Sequence, residues 1–118
     1  MAQLSIQSAS VIANLFSYKS GNRYAIRSDG HVLYKNPLTG GWKAWAIIVE
    51  GLTPAEYVEH KLAKGWVRYR RGMQPDYNEL REMISDGVCS ATDGCDSVEP
   101  DGRCEHNFPA WPRALKMI

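Results

Sequence analysis

The sequence predicts an α+β domain, in which a small antiparallel sheet of about three to four strands carries two or three packed helices, followed by a Cys/His-rich C-terminal extension. Three observations predict it. Asp29-Gly30 lies between two runs of β-forming residues, residues 54–64 carry helix signals at both ends, and apolar and polar residues alternate over residues 66–71. Because a β-hairpin cannot exist in an all-helical protein, these observations favour a mixed fold.

Length and composition exclude several classes of protein. The chain has 118 residues, of which 44% are hydrophobic and 23% charged. These values are unlike those of disordered, collagen-like or coiled-coil chains. No apolar run is long enough to cross a membrane, and residues 1–16 lack the basic start and unbroken apolar block of a secretory signal. We therefore expect a cytoplasmic protein that does not associate with membranes.

Helical spacing of apolar residues predicts a first helix near the N-terminus, with residues 8–10 before it. Its apolar face would consist of Val11, Ile12, Leu15 and Phe16. Leu4 and Ile6 extend the apolar set with an alternating spacing that a strand would also satisfy.

The next elements are predicted as strands. Asp-Gly is a strong hairpin signal because glycine accepts the positive φ that the turn needs, so residues 24–27 should pair with residues 31–34. A Pro- and Gly-rich loop then leads into residues 42–49, whose apolar character predicts a largely buried strand.

Both ends of the helix predicted over residues 54–64 are marked in the sequence. Thr53 can cap the first turn, Pro54 stands where its missing N–H costs nothing, and Glu56 stands at the reciprocal capping-box position. Gly65 supplies a left-handed stop.

A strand and a third helix complete the domain predicted over residues 1–87. Over residues 66–71 the alternation would place Val67 and Tyr69 on one face, opposite Arg68 and Arg70. Asp76, followed by Glu three residues later, predicts the start of the next helix. The amphipathic stripe of that helix would consist of Tyr77, Leu80, Met83 and Ile84.

Charge is distributed unevenly along the chain, although the net charge is only +1. Residues 1–75 carry ten Lys and Arg against four carboxylates, whereas residues 76–118 carry four against nine. This asymmetry is compatible with a basic face for nucleic acid or with an acidic face that competes for basic partners.

The extension, residues 88–118, is expected to pack on the same domain and is the most informative stretch. It contains the four residues that a closed tetrahedral zinc site requires, namely Cys89, Cys95, Cys104 and His106. A tight turn at residues 99–102 would bring Cys95 close to Cys104. Cys104 and His106 are two residues apart, so in an extended strand both side chains point to one face. We predict one structural zinc ion that ties the extension to the domain.

Other interpretations of the cysteines stay open. The thiols could line a small apolar core beneath Trp111, or Cys95 and Cys104 could form a disulfide, which a reducing compartment disfavours. Calcium is disfavoured because the acidic residues lack the spacing of a calcium-binding loop, so a solvated acidic turn is expected at Asp93, Asp96, Glu99 and Asp101. A cysteine nucleophile activated by His106 would need an oxyanion-stabilising element, and the sequence shows none.

The extension also resembles the C-terminal portion of small bacterial, phage and plasmid proteins of unknown function. The resemblance rests on residues 91–95 (Ala-Thr-Asp-Gly-Cys), residues 98–102 (Val-Glu-Pro-Asp-Gly), the Cys-x-His pair and the terminal aliphatic run. It covers about a third of the chain. The resemblance implies a small intracellular protein encoded by a mobile element, and it implies no activity.

Nothing in the sequence predicts catalysis, since it holds no Gly-rich phosphate loop, nucleophile elbow or metalloprotease motif. We expect a non-enzymatic protein-interaction module that binds a host or phage protein. Its binding surface would be the acidic C-terminal region or exposed aromatics such as Phe108 and Trp111.

The alternative function is binding of single-stranded or structured nucleic acid. Cations that pair with phosphates and rings that stack on bases are mixed in one segment, which contains Lys61, Lys64, Trp66, Arg68, Tyr69, Arg70 and Arg71. We rank this function second because the segment is only moderately basic and the pI of the chain is near 7.7. The sequence leaves open where the acidic extension points relative to this segment.

Overall fold

The computed structural model describes residues 10–117. This part of the chain contains a five-stranded antiparallel sheet and three helices. In chain order the elements are β1 (Val11–Phe16), β2 (Arg23–Arg27), β3 (His31–Lys35), β4 (Lys43–Ile47), α1 (Pro54–Ala63), β5 (Val67–Arg68), α2 (Tyr77–Asp86) and α3 (Trp111–Ala114). The strand order is β4-β3-β2-β1-β5, and every neighbouring pair is antiparallel. The predicted α+β fold is confirmed, and the sheet has five strands instead of the expected three to four because residues 11–16 add a strand where a helix was predicted.

The β2–β3 hairpin forms as predicted. Gly30 has φ +87°, and its N–H donates to the Arg27 carbonyl at 3.1 Å. The Asp29 carboxylate accepts a hydrogen bond from the His31 N–H at 3.1 Å and pairs with the Arg27 guanidinium at 2.9 Å. These contacts all lie within five consecutive residues, which explains why a local sequence pattern was sufficient to predict the turn.

The prediction of a helix near the N-terminus is wrong, because residues 11–16 form strand β1. β1 lies inside the sheet and pairs with β2 on one side and β5 on the other. Both of its faces are covered near its end, so the adjacent residues Leu15 and Phe16 are fully buried although they point in opposite directions. A strand buried on both faces loses its alternation, and its apolar spacing then resembles that of a helix. Residues 1–9, where that prediction began, lie outside the described part.

β4 forms within residues 42–49 as predicted, but it is not buried. It is the outer strand next to β3, and all five of its residues are exposed. Trp45 is 48% exposed and Ile47 is 69% exposed. An apolar run indicates a buried strand only where another layer covers it, and β4 lies at the margin of the sheet.

Both long helices begin at capping boxes as predicted. The Thr53 hydroxyl accepts a hydrogen bond from the Glu56 N–H at 3.1 Å, and the Glu56 carboxylate accepts one from the Thr53 N–H at 2.9 Å. Asp76 and Glu79 make the same reciprocal pair at the start of α2, at 2.8 and 2.9 Å. Gly87 ends α2 in the left-handed conformation, with φ +71°.

The apolar stripe of α2 is less buried than its pattern predicts. Leu80 is fully buried, whereas Tyr77 and Ile84 remain exposed. β5 is also shorter than the predicted strand, although its alternation holds, because Val67 packs inward while Arg68 is exposed.

Apolar side chains are buried on both faces of the sheet. On one face, α1 packs its buried Val58 in a cluster with Leu15. On the other, Phe16 packs with Leu80 of α2 and Trp111 of α3. The ring centroids of Phe16 and Trp111 are 6.0 Å apart. The second cluster therefore joins the C-terminal segment to the sheet.

We expect Gly21→Ala to lower the free energy of unfolding by about 1–3 kcal/mol. Gly21 has φ +73°, and a Cβ added there would lie 2.5 Å from Cζ3 of the buried Trp111 ring. Gly30→Ala is the matched control, because Gly30 also has a positive φ but no atom lies within 4 Å of an added Cβ. Urea unfolding of both variants measures the difference, and equal losses of stability would contradict the contact with Trp111.

Candidate metal centre

Two short segments of the C-terminal region bring four possible metal ligands together. The first segment is the loop between Cys89 and Val98, whose backbones bond to each other at 2.7 and 2.8 Å. The second follows the turn at residues 99–102, which forms as predicted and is closed by a 2.8 Å backbone hydrogen bond. The side chains that meet are those of Asp93, Cys95, Cys104 and His106.

The distances among these groups are close to those of a metal site. One ligand atom from each side chain lies within 4.8 Å of all the others. His106 Nδ1 is 2.9 Å from Asp93 Oδ2 and 3.2 Å from Cys95 Sγ. Cys104 Sγ is 3.4 Å from Asp93 Oδ2. Zinc holds nitrogen and oxygen at about 2.0 Å and sulfur at about 2.3 Å, so the edges of its tetrahedron measure roughly 3.3–3.8 Å. Small shifts of these side chains would therefore admit an ion.

Burial and hydrogen bonding within this group shift the pKa values of Asp93 and Cys95. Burial acts to raise the pKa of Asp93, but hydrogen bonds from the Cys95 N–H, both thiols and His106 outweigh it and hold this pKa below its ordinary value. Burial, the Cys104 thiol and the Asp93 carboxylate raise the pKa of the Cys95 thiol to about 11. An entering metal ion must displace that thiol proton, so metal affinity falls as the pH falls.

The structure brings three of the four predicted ligands together and leaves Cys89 outside the group. The Cys89 side chain is 3% exposed and packs with Val98 and Ala110. Its thiol donates to the Met83 carbonyl at 3.7 Å, and burial raises its pKa. Cys89 therefore has the surroundings of a small buried hydrophobic residue, the interpretation that the sequence left open for all three cysteines.

Sequence reasoning assigned Asp93 to a solvated acidic turn and so missed it as a ligand. The sequence contains one related feature, because Asp93 and Cys95 are separated by one residue, as are Cys104 and His106. Residues two apart share a face only in an extended strand, whereas both of these pairs lie in turns, so the spacing does not by itself identify Asp93 as a ligand. The Asp93 side chain is only 11% exposed, unlike that of a solvated acidic turn.

This group could hold a metal ion with protein ligands alone. Four side chains complete a tetrahedron, which leaves no position for a substrate or a reactive water molecule. The surrounding backbone pairs only through isolated bridges, Cys89 with Val98, Ala91 with Ala110 and Arg103 with Pro109. An ion bound here would cross-link two loops that have little regular secondary structure of their own.

The residues predicted to bind nucleic acid do not form one surface. Trp66 stacks on Tyr24, with ring centroids 3.9 Å apart, on the face of the sheet that α1 covers, and Lys61 Nζ lies 4.8 Å from the Trp66 ring. Tyr69 packs on the opposite face with Phe16. The exposed cations of the segment are Lys64, Arg68, Arg70 and Arg71.

The acidic extension meets the end of this basic segment. A cleft of about 590 Å³ has Arg70 and Arg71 on its walls together with Glu79, Asp93 and Asp96. These carboxylates would repel a phosphate group near the two arginines. Of the acidic residues of the extension, Asp93 and Asp96 therefore share this cleft with the end of the basic segment.

The aromatics of the extension do not offer the exposed surface expected of them. Trp111 is 3% exposed, and Phe108 is half-buried against Tyr18, with ring centroids 5.0 Å apart. The expectation that Trp111 is an exposed aromatic is wrong, because the ring belongs to the core that joins the sheet to α2.

No protein-family model, no curated protein and no solved structure matches this chain. Within residues 10–117, no helix has both the length and the apolar character needed to cross a membrane. The structure establishes an α+β fold whose C-terminal region contains an Asp-Cys-Cys-His group that could hold a metal ion.

Proposed function

We propose that this protein is a non-enzymatic interaction module that binds a partner protein, and that a structural zinc ion holds its C-terminal region in shape. The observation that carries the proposal is the exposed apolar edge of the sheet at β4. The more specific identity of the partner, a host or phage protein, rests on the resemblance of residues 88–118 to tails of mobile-element proteins.

The edge of β4 has the character of a binding surface. β4 is paired only with β3, so its outer backbone groups have no strand partner in the described part of the chain. Ile47 and Val49 are 69% and 70% exposed, and Trp45 is about half exposed. Proteins usually protect edge strands with charges, proline or a covering element, because a bare edge pairs readily with another chain. Within β4 the only charged residue is Lys43, at its first position.

The partner that fits this edge is an extended segment of another protein. Such a segment adds a strand to the sheet, where main-chain hydrogen bonds supply affinity and side-chain contacts supply specificity. Alternate residues of the segment should be apolar, because they would pack beside Ile47 and Val49 on one face of this edge. Trp45 lies on the other face, beyond a bulge in the β3–β4 pairing, and its ring packs against those of Tyr24 and Tyr34.

Zinc is the ion that the ligand chemistry favours. Two thiols and an imidazole select zinc over calcium or magnesium, which prefer oxygen ligands. With four protein ligands the ion has a structural role, since no coordination position is left for catalysis.

The proposal is tested by photo-crosslinking in cells that contain the protein. We expect a benzoylphenylalanine in place of Ile47 to form a covalent adduct with one defined protein. The same group in place of Tyr77, which is 53% exposed on α2, should not form it. Capture of that protein by the Ile47→Lys variant should be weaker by about tenfold or more, because a lysine on the edge opposes strand pairing.

Two outcomes would overturn the proposal. One is that no protein, or the same set of proteins, is cross-linked from the two positions. The other is that Ile47→Lys captures the partner as well as the unmodified protein does. Circular dichroism of each variant confirms that the fold is retained.

A further inference from the structure

A cation held between two aromatic rings lies at the other end of β4, near its first residue. The Arg23 guanidinium carbon is 4.2 Å from the centroid of the Tyr69 ring and 5.1 Å from that of Trp42. Asn14 Oδ1 accepts hydrogen bonds from Arg23 Nε and Nη2, at 3.3 and 3.2 Å. Lys35 lies directly opposite Arg23 in the pairing of β2 with β3, and Lys35 Nζ is 5.8 Å from the centroid of the Trp42 ring.

This group carries positive charge without a counter-ion. Within residues 10–117, the ion pairs formed are those of Arg27 with Asp29 and of His106 with Asp93. Arg23 and Lys35 therefore have no carboxylate partner in that part of the chain. The Arg23 partners are a neutral amide and two rings, which fix the guanidinium in place and leave its charge unneutralised.

We propose that Arg23, Lys35 and Trp42 form a binding site for single-stranded nucleic acid. Arg23 and Lys35 would each pair with a backbone phosphate, and a base would stack on the Trp42 ring, which is 39% exposed. Tyr69 and Asn14 hold Arg23 in position. This site goes beyond the proposed function and does not depend on it, because it involves neither Ile47 nor Val49.

Single strands fit this site better than other polyanions do. An acidic peptide would pair with the two cations, but unlike a nucleic acid it does not carry a planar base beside every charge to stack on the indole. In a duplex the bases are already stacked on each other and are not free to stack on Trp42, whereas the bases of a single strand are. The site also differs from the segment at residues 61–71, whose Arg70 and Arg71 line the same cleft as Glu79, Asp93 and Asp96.

The test is fluorescence anisotropy with a labelled oligothymidylate of about twelve nucleotides at about 50 mM salt. We expect Trp42→Ala to weaken binding by about tenfold or more, because it removes one stacking contact. Lys35→Gln should lower the slope of log affinity against log salt by about 0.7, the effect of losing one phosphate contact on a single strand. Tyr77→Ala and Arg81→Gln, both on the exposed side of α2, are the matched controls and should bind like the unmodified protein.

Several results would overturn the proposal. The first is the absence of binding up to about 100 μM protein, a concentration at which non-specific nucleic-acid binders already bind. The second is equal affinity for a duplex. The third is equal competition by polyglutamate, which would indicate an acidic protein as the ligand. Binding that survives Trp42→Ala but is lost in Lys61→Gln would place the ligand on the α1 face instead. Trp42 is exposed and Lys35 is half-buried. Thermal unfolding checks that the variants at both positions fold.

Discussion

Replacing Cys95 or Cys104 with serine is expected to lower bound zinc from about one equivalent per chain to less than about a tenth. Each substitution removes one of the two thiol ligands. Thiolates bind zinc more strongly than they bind calcium or magnesium. Their Sγ atoms both lie beside His106 Nδ1, at 3.2 and 3.8 Å. Elemental analysis of protein purified without added zinc, together with a competition titration against a chelator, provides the measurement.

Cys89→Ala is the matched control for this prediction. The Cys89 thiol lies outside the ligand group and bonds to the Met83 carbonyl, so the alanine variant should keep its metal. Asp93→Asn should weaken zinc binding while leaving the two thiols in place. Loss of metal in the Cys89 variant, with metal retained in the Asp93 variant, would restore the ligand set that the sequence predicted. Less than about half an equivalent of metal in the unmodified protein would refute the zinc site itself.

Trp111→Ala is expected to lower the free energy of unfolding by about 3–5 kcal/mol. The indole is 3% exposed, packs with Phe16 and Leu80, and fills the space next to Gly21. Alanine would leave a cavity where three parts of the chain meet, namely β1, α2 and α3. Urea unfolding followed by circular dichroism gives the change directly.

Tyr77→Ala is the control for the loss of a large aromatic side chain. Tyr77 is 53% exposed, so its removal should change stability by less than about 1 kcal/mol. A loss in the Trp111 variant as small as in the Tyr77 variant would show that the C-terminal segment contributes little to the core. The measurement is made with zinc present, so that any stabilisation by bound metal is equal in both variants.

The local features of this fold were predictable from sequence because their stabilising contacts are local. The Asp29-Gly30 turn, the capping boxes at Thr53 and Asp76, and the turn at residues 99–102 each depend on hydrogen bonds between residues at most four apart. Such contacts leave a signature in the order of residue types. The turn at residues 99–102 also explains why the proximity of Cys95 and Cys104 could be foreseen.

Burial was not predictable in the same way, because it depends on the order of the strands. Residues 11–16 form a strand covered on both faces near its end, and residues 43–47 form an exposed edge, although both runs are apolar. The chain sequence does not state which strand lies in the middle of a sheet and which lies outside. The separation of Trp66 and Tyr69 onto opposite faces follows from the same strand geometry.

For the candidate metal site, the sequence by itself determined the region and three of the four side chains, since Cys95, Cys104 and His106 follow from ligand chemistry and spacing. Only the tertiary structure decided between Cys89 and Asp93 for the fourth position. The choice depends on which way each side chain points. The backbone bridge between Cys89 and Val98 keeps the Cys89 thiol in an apolar core, whereas the neighbouring turn directs the Asp93 carboxylate to the two other thiols and the imidazole.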